Sequence, residues 1–184
     1  RFPDMVARVA ESVRGKKDVL EIAAGTGLLT EALAGAAEHL VATDRSAEML
    51  RVLRARLERA GLSGCVQVRE ADAVALDFPD ASFDAVVMAN LLHLLPSPAG
   101  ALDAARRVLR PGGLLCAPTF CHGENAVARG VSRVLSLSGF PIVTRFTGAG
   151  LRELVQQSGF TVSSHETFAG VLPIHLVVAR AEPF

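Results

Sequence analysis

Three carboxylates and a glycine turn are the residues whose types and spacing suggest chemistry: Glu21, Gly25 and Gly27 in VLEIAAGTGLLT, Asp44 in HLVATDRSAEML, and Asp72 in VQVREADAVALDFPD. Gly25 and Gly27 permit a tight turn after the apolar run Val19, Leu20 and Ile22, and a residue without a side chain lets a ligand lie against the backbone. Asp44 falls 19 positions after Gly25, at the tip of a second apolar run, Leu40 to Thr43. That is the spacing at which a carboxylate on the neighbouring strand accepts both hydroxyl hydrogens of a ribose, at roughly 1.5 to 3 kcal/mol per charge-assisted bond. Asp72 closes a third run, Val66 to Arg69. With Ala73 it suits an adenine edge, the carboxylate accepting from the exocyclic amine while a backbone N–H donates to a ring nitrogen. The plainer readings are Asp44 as a helix cap, with Ser46 available for the same job, and Asp72 as a turn acid. A glycine turn followed by acids at two successive strand ends is far more specific than any of the three alone.

The elements that must hold these residues alternate strand and helix. A buried parallel strand ends near Glu21, and a helix opens over Leu28 to Leu33, its start adding partial positive charge and free N–H groups at the turn. Further strands are expected at 40–43, 66–69, 83–89 and 114–119, with a helix near 99–109. Such alternation gives a parallel sheet covered on both faces. Near the end, a helix over Gly148 to Ser158 is followed by Phe160 to Phe168 and Val171 to Ala179, parted by Ala169 and Gly170 as a terminal hairpin. The fold class is therefore α/β: a Rossmann-like, doubly wound sheet of about seven strands, mostly parallel, finished by an antiparallel hairpin.

On these motifs the chain resembles the class I S-adenosylmethionine-dependent methyltransferases, and within them the small-molecule group (methyltransferase type 11) typified by quinone-biosynthesis methyltransferases. The Glu-x-x-x-Gly-x-Gly pattern stands at Glu21 to Gly27, the ribose acid at Asp44, the adenine pair at Asp72 and Ala73, and the segment after strand four at Ala89-Asn90-Leu91-Leu92-His93. Leu109-Arg110-Pro111-Gly112-Gly113 is similar to the family's turn before strand five. The resemblance implies S-adenosyl-L-methionine as cofactor and S-adenosyl-L-homocysteine as product. Its binding residues would be Glu21, Ala23, Gly25, Thr26, Gly27, Asp44, Arg45, Met49, Asp72, Ala73, Asn90 and Leu91. Ala23 departs from the pattern, which often has a glycine there; a methyl group is tolerated with negative φ, and that is the expected backbone.

Composition fits one domain over 1–184, half of it hydrophobic. No apolar run approaches the roughly 18 residues of a membrane span, and nothing at the start resembles a secretory signal, so the expected compartment is the cytoplasm. The 19 basic and 19 acidic residues balance, which disfavours a nucleic-acid partner. Arg51, Arg54, Arg56 and Arg59 crowd one helix, but Glu48 and Glu58 interleave with them as in a solvated face. The 17 arginines against two lysines suggest a GC-rich, bacterial genome. Cys65, Cys116 and Cys121 lack metal-ligand spacing, so no metal is expected. Arg1 opens a helix-like segment in which Met5, Val6, Val9 and Val13 share a face, and the natural start is expected to lie upstream.

Residues 119–147 form the expected substrate-side insertion, mixing His122, Glu124 and Asn125 with an amphipathic run over Val127 to Leu137. In methyl transfer the protein chiefly aligns nucleophile, methyl carbon and sulfur, and a base is needed only for a protonated acceptor. His93, His122 and Glu124 are the candidate catalytic groups; His175 in PIHLVVA reads as packed, and His39 and His165 are given no role. Asn90-Leu91-Leu92-His93 is not the Asn- or Asp-Pro-Pro-aromatic loop of adenine and glutamine N-methylation, and the chain has no Trp and no Tyr. The expected acceptor is a small, fairly apolar molecule methylated on oxygen, carbon or nitrogen, with the oligomeric state left open. Two alternatives stand beside it. One is an NAD(P)-dependent oxidoreductase, disfavoured because Thr30 occupies the place of the third glycine. The other is a cofactor-binding regulatory module that has lost catalysis.

Overall fold

The computed structural model describes residues 2–137 and 143–183, the side chains of 132–137 excepted. Part of the expected substrate-side segment, 138–142, thus lies outside the described residues. The elements run α1 (Phe2–Val13), β1 (Asp18–Ile22), α2 (Thr30–Ala34), β2 (His39–Asp44), α3 (Ala47–Arg59), β3 (Val66–Glu70), β4 (Phe83–Met88), a 3-10 turn (Leu92–Leu94), α4 (Pro98–Val108), β5 (Leu109–Phe120), α5 (Ala126–Leu137), α6 (Gly148–Gln157), β6 (Phe160–Phe168) and β7 (Ile174–Ala181).

One seven-stranded sheet has the order β3-β2-β1-β4-β5-β7-β6. β1 to β5 are mutually parallel, and β7 alone is reversed, antiparallel to both β5 and β6. The α/β, mostly parallel sheet with a terminal hairpin is as expected from sequence. Because helices cover both faces, the central strands are apolar on both sides. Val19, Ala85 and Val87 face one core with Met5, Val9 and Val13 of α1 and Leu50, Leu53 and Leu57 of α3. Leu20, Ile22, Val86 and Met88 face the other with Leu102 of α4, Leu151 and Val155 of α6, and Phe160. Each strand thus alternates between two cores with the period of two that the pleat dictates.

Three boundaries differ from expectation, each for a local reason. Helix α2 begins at Thr30 and is only five residues long, so little macrodipole can accumulate at the glycine turn. Strand β5 starts at Leu109, which pairs with Phe83 before Arg110 to Gly113 loop out and Leu114 pairs with Ala85. Gly112, at φ +73°, makes that bulge, and Arg110 fastens it by donating to Asp84 (2.7 Å) and Asp18 (3.0 Å). The second hairpin strand runs Ile174–Ala181 and not Val171–Ala179, so the connection is Ala169 to Pro173 and not a two-residue turn. Pro173 has no N–H to give the ladder; its carbonyl instead accepts from Cys121 N.

Candidate active site

The carboxyl ends of β1, β2 and β4 form the site because parallel strands release their loops on one edge. After β1 the chain turns through Ala23 (φ +60°), Gly25 (φ +57°) and Gly27 (φ +86°). A Cβ on Gly27 would collide with Leu53 Cδ1, so glycine lets α3 pack against the turn. Ala23 corrects the sequence-based expectation of negative φ. It occupies the left-handed region, at a cost of roughly 1 to 2 kcal/mol for a residue with Cβ. The next peptide holds it there, Ala24 N donating to Thr43 O at 2.8 Å.

Asp44 ties the turn to β2. Its Oδ2 accepts from Gly25 N and its Oδ1 from Ser46 N, both at 2.9 Å. An ionised carboxylate has about four acceptor positions, so one on each oxygen remains for a ligand. The cap of α3 is Ser46, whose Oγ accepts from Met49 N, which relieves Asp44 of that duty. Asp72 accepts from Val74 N at 3.1 Å in a short side-chain turn.

Ile22, Ala23, Asp44, Arg45, Ala71, Asp72, Ala73, Leu91, Leu94 and Leu95 line a cleft of about 300 Å³. Six of the expected cofactor residues therefore meet: Ala23, Asp44, Arg45, Asp72, Ala73 and Leu91. Gly25 touches the cleft through its bond to Asp44, whereas Glu21, Thr26, Gly27, Met49 and Asn90 are not among the lining residues. Leu94 and Leu95 were missed from sequence, and their signal was the apolar run LLHLLP after β4.

Glu21 is inside the protein, 2% exposed, and its Oε2 accepts from Thr30 Oγ1 at 2.6 Å. Burial pushes its carboxyl up to about 7, opposed by the Thr30 hydrogen bond and assisted by the negative charge of Asp44. Thr30, at the place where a dinucleotide fingerprint has its third glycine, thus serves as partner to a buried acid.

Beside the cleft, the ends of β4 and β5 bring His93 and His122 together. Their ring centroids are 5.2 Å apart, and Phe120 stands edge-on to His93 at 6.0 Å. Both histidines are buried, at 2% and 1% exposure, and among the described residues His93 Nδ1 and both ring nitrogens of His122 have no hydrogen-bond partner. Burial, with the positive charge of a protonated His122, lowers His93 to about 4. Burial and then Arg145 lower His122. Both rings are therefore neutral at pH 7. Asn90, at φ +52°, presents a buried Oδ1 that is also without a partner. Glu124 turns elsewhere, accepting from Gly148 N at 2.7 Å.

The observations fit an adenosyl cofactor: an acid at each of two strand ends, apolar Leu91, Leu94 and Leu95 lining the same cleft, and a glycine turn alongside. The comparisons agree. A family profile described as "Methyltransferase domain" matches residues 20–117. Over 186 aligned residues, the chain is 32% identical to the ubiquinone/menaquinone biosynthesis C-methyltransferase UbiE of Pseudomonas fluorescens, covering 89% of this chain and 73% of that protein. An S-adenosylmethionine-dependent methyltransferase from Methanosarcina mazei shares the fold at a TM-score of 0.79 and 18% identity, covering 96% of this chain and 98% of that one. The [4+2]-cyclase SpnF shares it at 0.77 and 19%, covering 97% and 82%, so the fold by itself does not fix the reaction. Family match, sequence identity and strand order together place this chain in the class I S-adenosylmethionine-dependent methyltransferases.

Proposed function

We propose that the cleft holds S-adenosyl-L-methionine and that the chain transfers its methyl group to a small, fairly apolar acceptor seated at the ends of β4 and β5. The observation that carries this reading is Asp44, oriented by Gly25 N and Ser46 N with one acceptor position per oxygen facing the cleft. In this assignment Asp44 accepts from the ribose hydroxyls, Asp72 and Ala73 read the adenine edge, and Leu91, Leu94 and Leu95 supply the apolar surface for its ring. The Gly25 to Gly27 turn admits the remainder close to the backbone.

The bound cofactor supplies an activated methyl on a sulfonium sulfur. The chain's contribution is alignment, which accounts for about 7 to 11 kcal/mol in well-oriented reactions, and exclusion of water. His122 is the proposed base: neutral at pH 7 and unbonded, it can take a proton from the acceptor at a ring nitrogen. A buried polar atom without a partner costs about 1 to 3 kcal/mol, and a bound acceptor with a hydroxyl or carbonyl group offers the missing bond. This favours a working acceptor site over a regulatory module. UbiE, by its name a C-methyltransferase, ranks carbon first among the three atoms considered.

Isothermal titration with S-adenosylhomocysteine, S-adenosylmethionine and NAD(P)H in parallel tests the reading. Saturable micromolar binding of the first two alone is expected. Selective binding of NAD(P)H would remove it.

A further inference from the structure

We propose that Cys121, Glu124 and His175 form a binding site for a divalent transition metal of the zinc type. Cys121 directly follows β5, Glu124 lies in the turn before α5, and His175 is the second residue of β7. One ligand atom from each, a thiol sulfur, a carboxylate oxygen and a ring nitrogen, lies within 4.8 Å of the other two. Atoms bound at about 2.0 to 2.3 Å to a tetrahedral ion stand roughly 3.3 to 3.8 Å apart, so small side-chain shifts complete the geometry. None of the three residues lines the cofactor cleft.

The histidine is oriented for the purpose. His175 is 4% exposed, and its Nδ1 lies 2.8 Å from His165 Nε2 and 3.3 Å from Thr167 Oγ1. With the Nδ1 proton donated to His165, the lone pair of Nε2 points inward. That buried nitrogen has no hydrogen-bond partner among the described residues and stands 3.5 Å from Glu124 Oε2. In that tautomer a lone pair faces a carboxylate oxygen, an arrangement that a cation between them relieves, and a metal ion fills that role. The second ring nitrogen of a metal-bound histidine is usually held by such a neighbour.

A mixed sulfur, nitrogen and oxygen set selects zinc or cobalt over magnesium or calcium, which take oxygen ligands. Glu124 is about one-third exposed, which leaves an entry path and a fourth position for water. On binding, the Cys121 thiol proton passes to the buffer and the thiolate bonds to the metal; no electron moves. Since Glu124 also holds Gly148 N, the ion would clip the end of β5, the start of β7 and the start of α6 into one unit.

The test is titration of the reduced, chelator-treated full chain with cobalt(II) and zinc(II), followed by calorimetry and visible absorption. One saturable equivalent with a thiolate-to-cobalt charge-transfer band is expected, and Cys121→Ser should lose the band. Glu124→Gln keeps an oxygen for Gly148 N but removes the carboxylate, and should bind at least about 10-fold more weakly; His165→Phe should cost about 10- to 100-fold, as loss of such an outer partner typically does. Circular dichroism establishes that each variant is folded, and Glu124→Gln decides the matter if Cys121→Ser is not. Absence of saturable binding to the parent, or unchanged affinity in folded Glu124→Gln, would overturn the proposal.

Discussion

At the ends of β1 and β2, Asp44 engages two backbone N–H groups and still lines an open cleft; at the ends of β4 and β5, His122 is buried with neither ring nitrogen bonded to any described residue. The first region is already bonded on both carboxylate oxygens and keeps acceptor capacity on each. The second has polar atoms desolvated in advance that no described residue bonds. A polar, half-open site and a desolvated pair of histidines thus sit side by side on one sheet edge, the two surroundings that the proposed cofactor and acceptor roles call for.

The largest effect that can break this contrast is on the acceptor side. His122→Ala should lower turnover by about 100-fold or more, in the range for loss of a general base, while cofactor affinity stays within about twofold. A full rate in the variant would reduce His122 to a packing residue. Its pH profile sharpens the point: burial holds the ring below the ordinary histidine range, so the parent should lose activity only on acidification below that range.

At the cleft, Asp44→Ala should weaken S-adenosylhomocysteine by about 3 kcal/mol, on the order of 100-fold, since it removes the proposed ribose contacts and frees the Gly25 turn. Calorimetry giving equal affinities would dismiss the ribose assignment.

Glu21 lies between the two regions in character, an acid buried like the histidines but bonded like Asp44. Its carboxyl is raised from 4.5 to about 7, so in that interval the folded protein keeps a proton that the unfolded chain has lost. Its stabilising contribution is full below about pH 4.5 and declines as pH climbs through 7, by on the order of 3 kcal/mol. Glu21→Gln should remove that slope in urea unfolding run from pH 5 to 7, and a parallel slope in both proteins would assign it to other groups. The smallest effect concerns Ala23: Ala23→Gly relieves the left-handed backbone but loosens the unfolded chain, for a net gain of about 0.5 to 1 kcal/mol. A lower melting temperature in the variant would mean that the methyl group packs better than its φ suggests.

The cofactor side was legible in sequence because its parts are local. Strand ends, a glycine turn and acids at fixed offsets report directly on one edge of a parallel sheet, and Asp44, Asp72 and Ala73 do meet there. Ala23 escaped because nothing in an alanine announces positive φ; the bond from Ala24 N to Thr43 O that holds it belongs to the neighbouring strand. The acceptor side was only half legible. His93 and His122 do come together, but Glu124, beside His122 in sequence, faces His175, which lies more than fifty positions away and on the reversed strand. Such a meeting is written in hairpin topology and not in spacing. The bulge of β5 was likewise visible as Arg-Pro-Gly-Gly, although the resumption of pairing before it, at Leu109, depends on Phe83.

The alternation of β1 and β4 between two buried cores bears on how the chain finds its register. Where one face of a strand meets water, a slip of one residue exposes every apolar side chain and is rejected on that ground. Here a slip exchanges Val19 for Leu20, or Val86 for Val87, between two oily compartments, and among these buried positions only Glu21, parted from Thr30, would lose a polar partner. The burden of alignment therefore shifts to polar pins at the opposite edge, where Asp18 N donates to Asp84 Oδ2 at 2.9 Å and Arg110 bridges both acids. That clasp, at the edge away from the cleft, ties the start of β1 to the start of β4 and to the bulge of β5, and so fixes the register of the central strands.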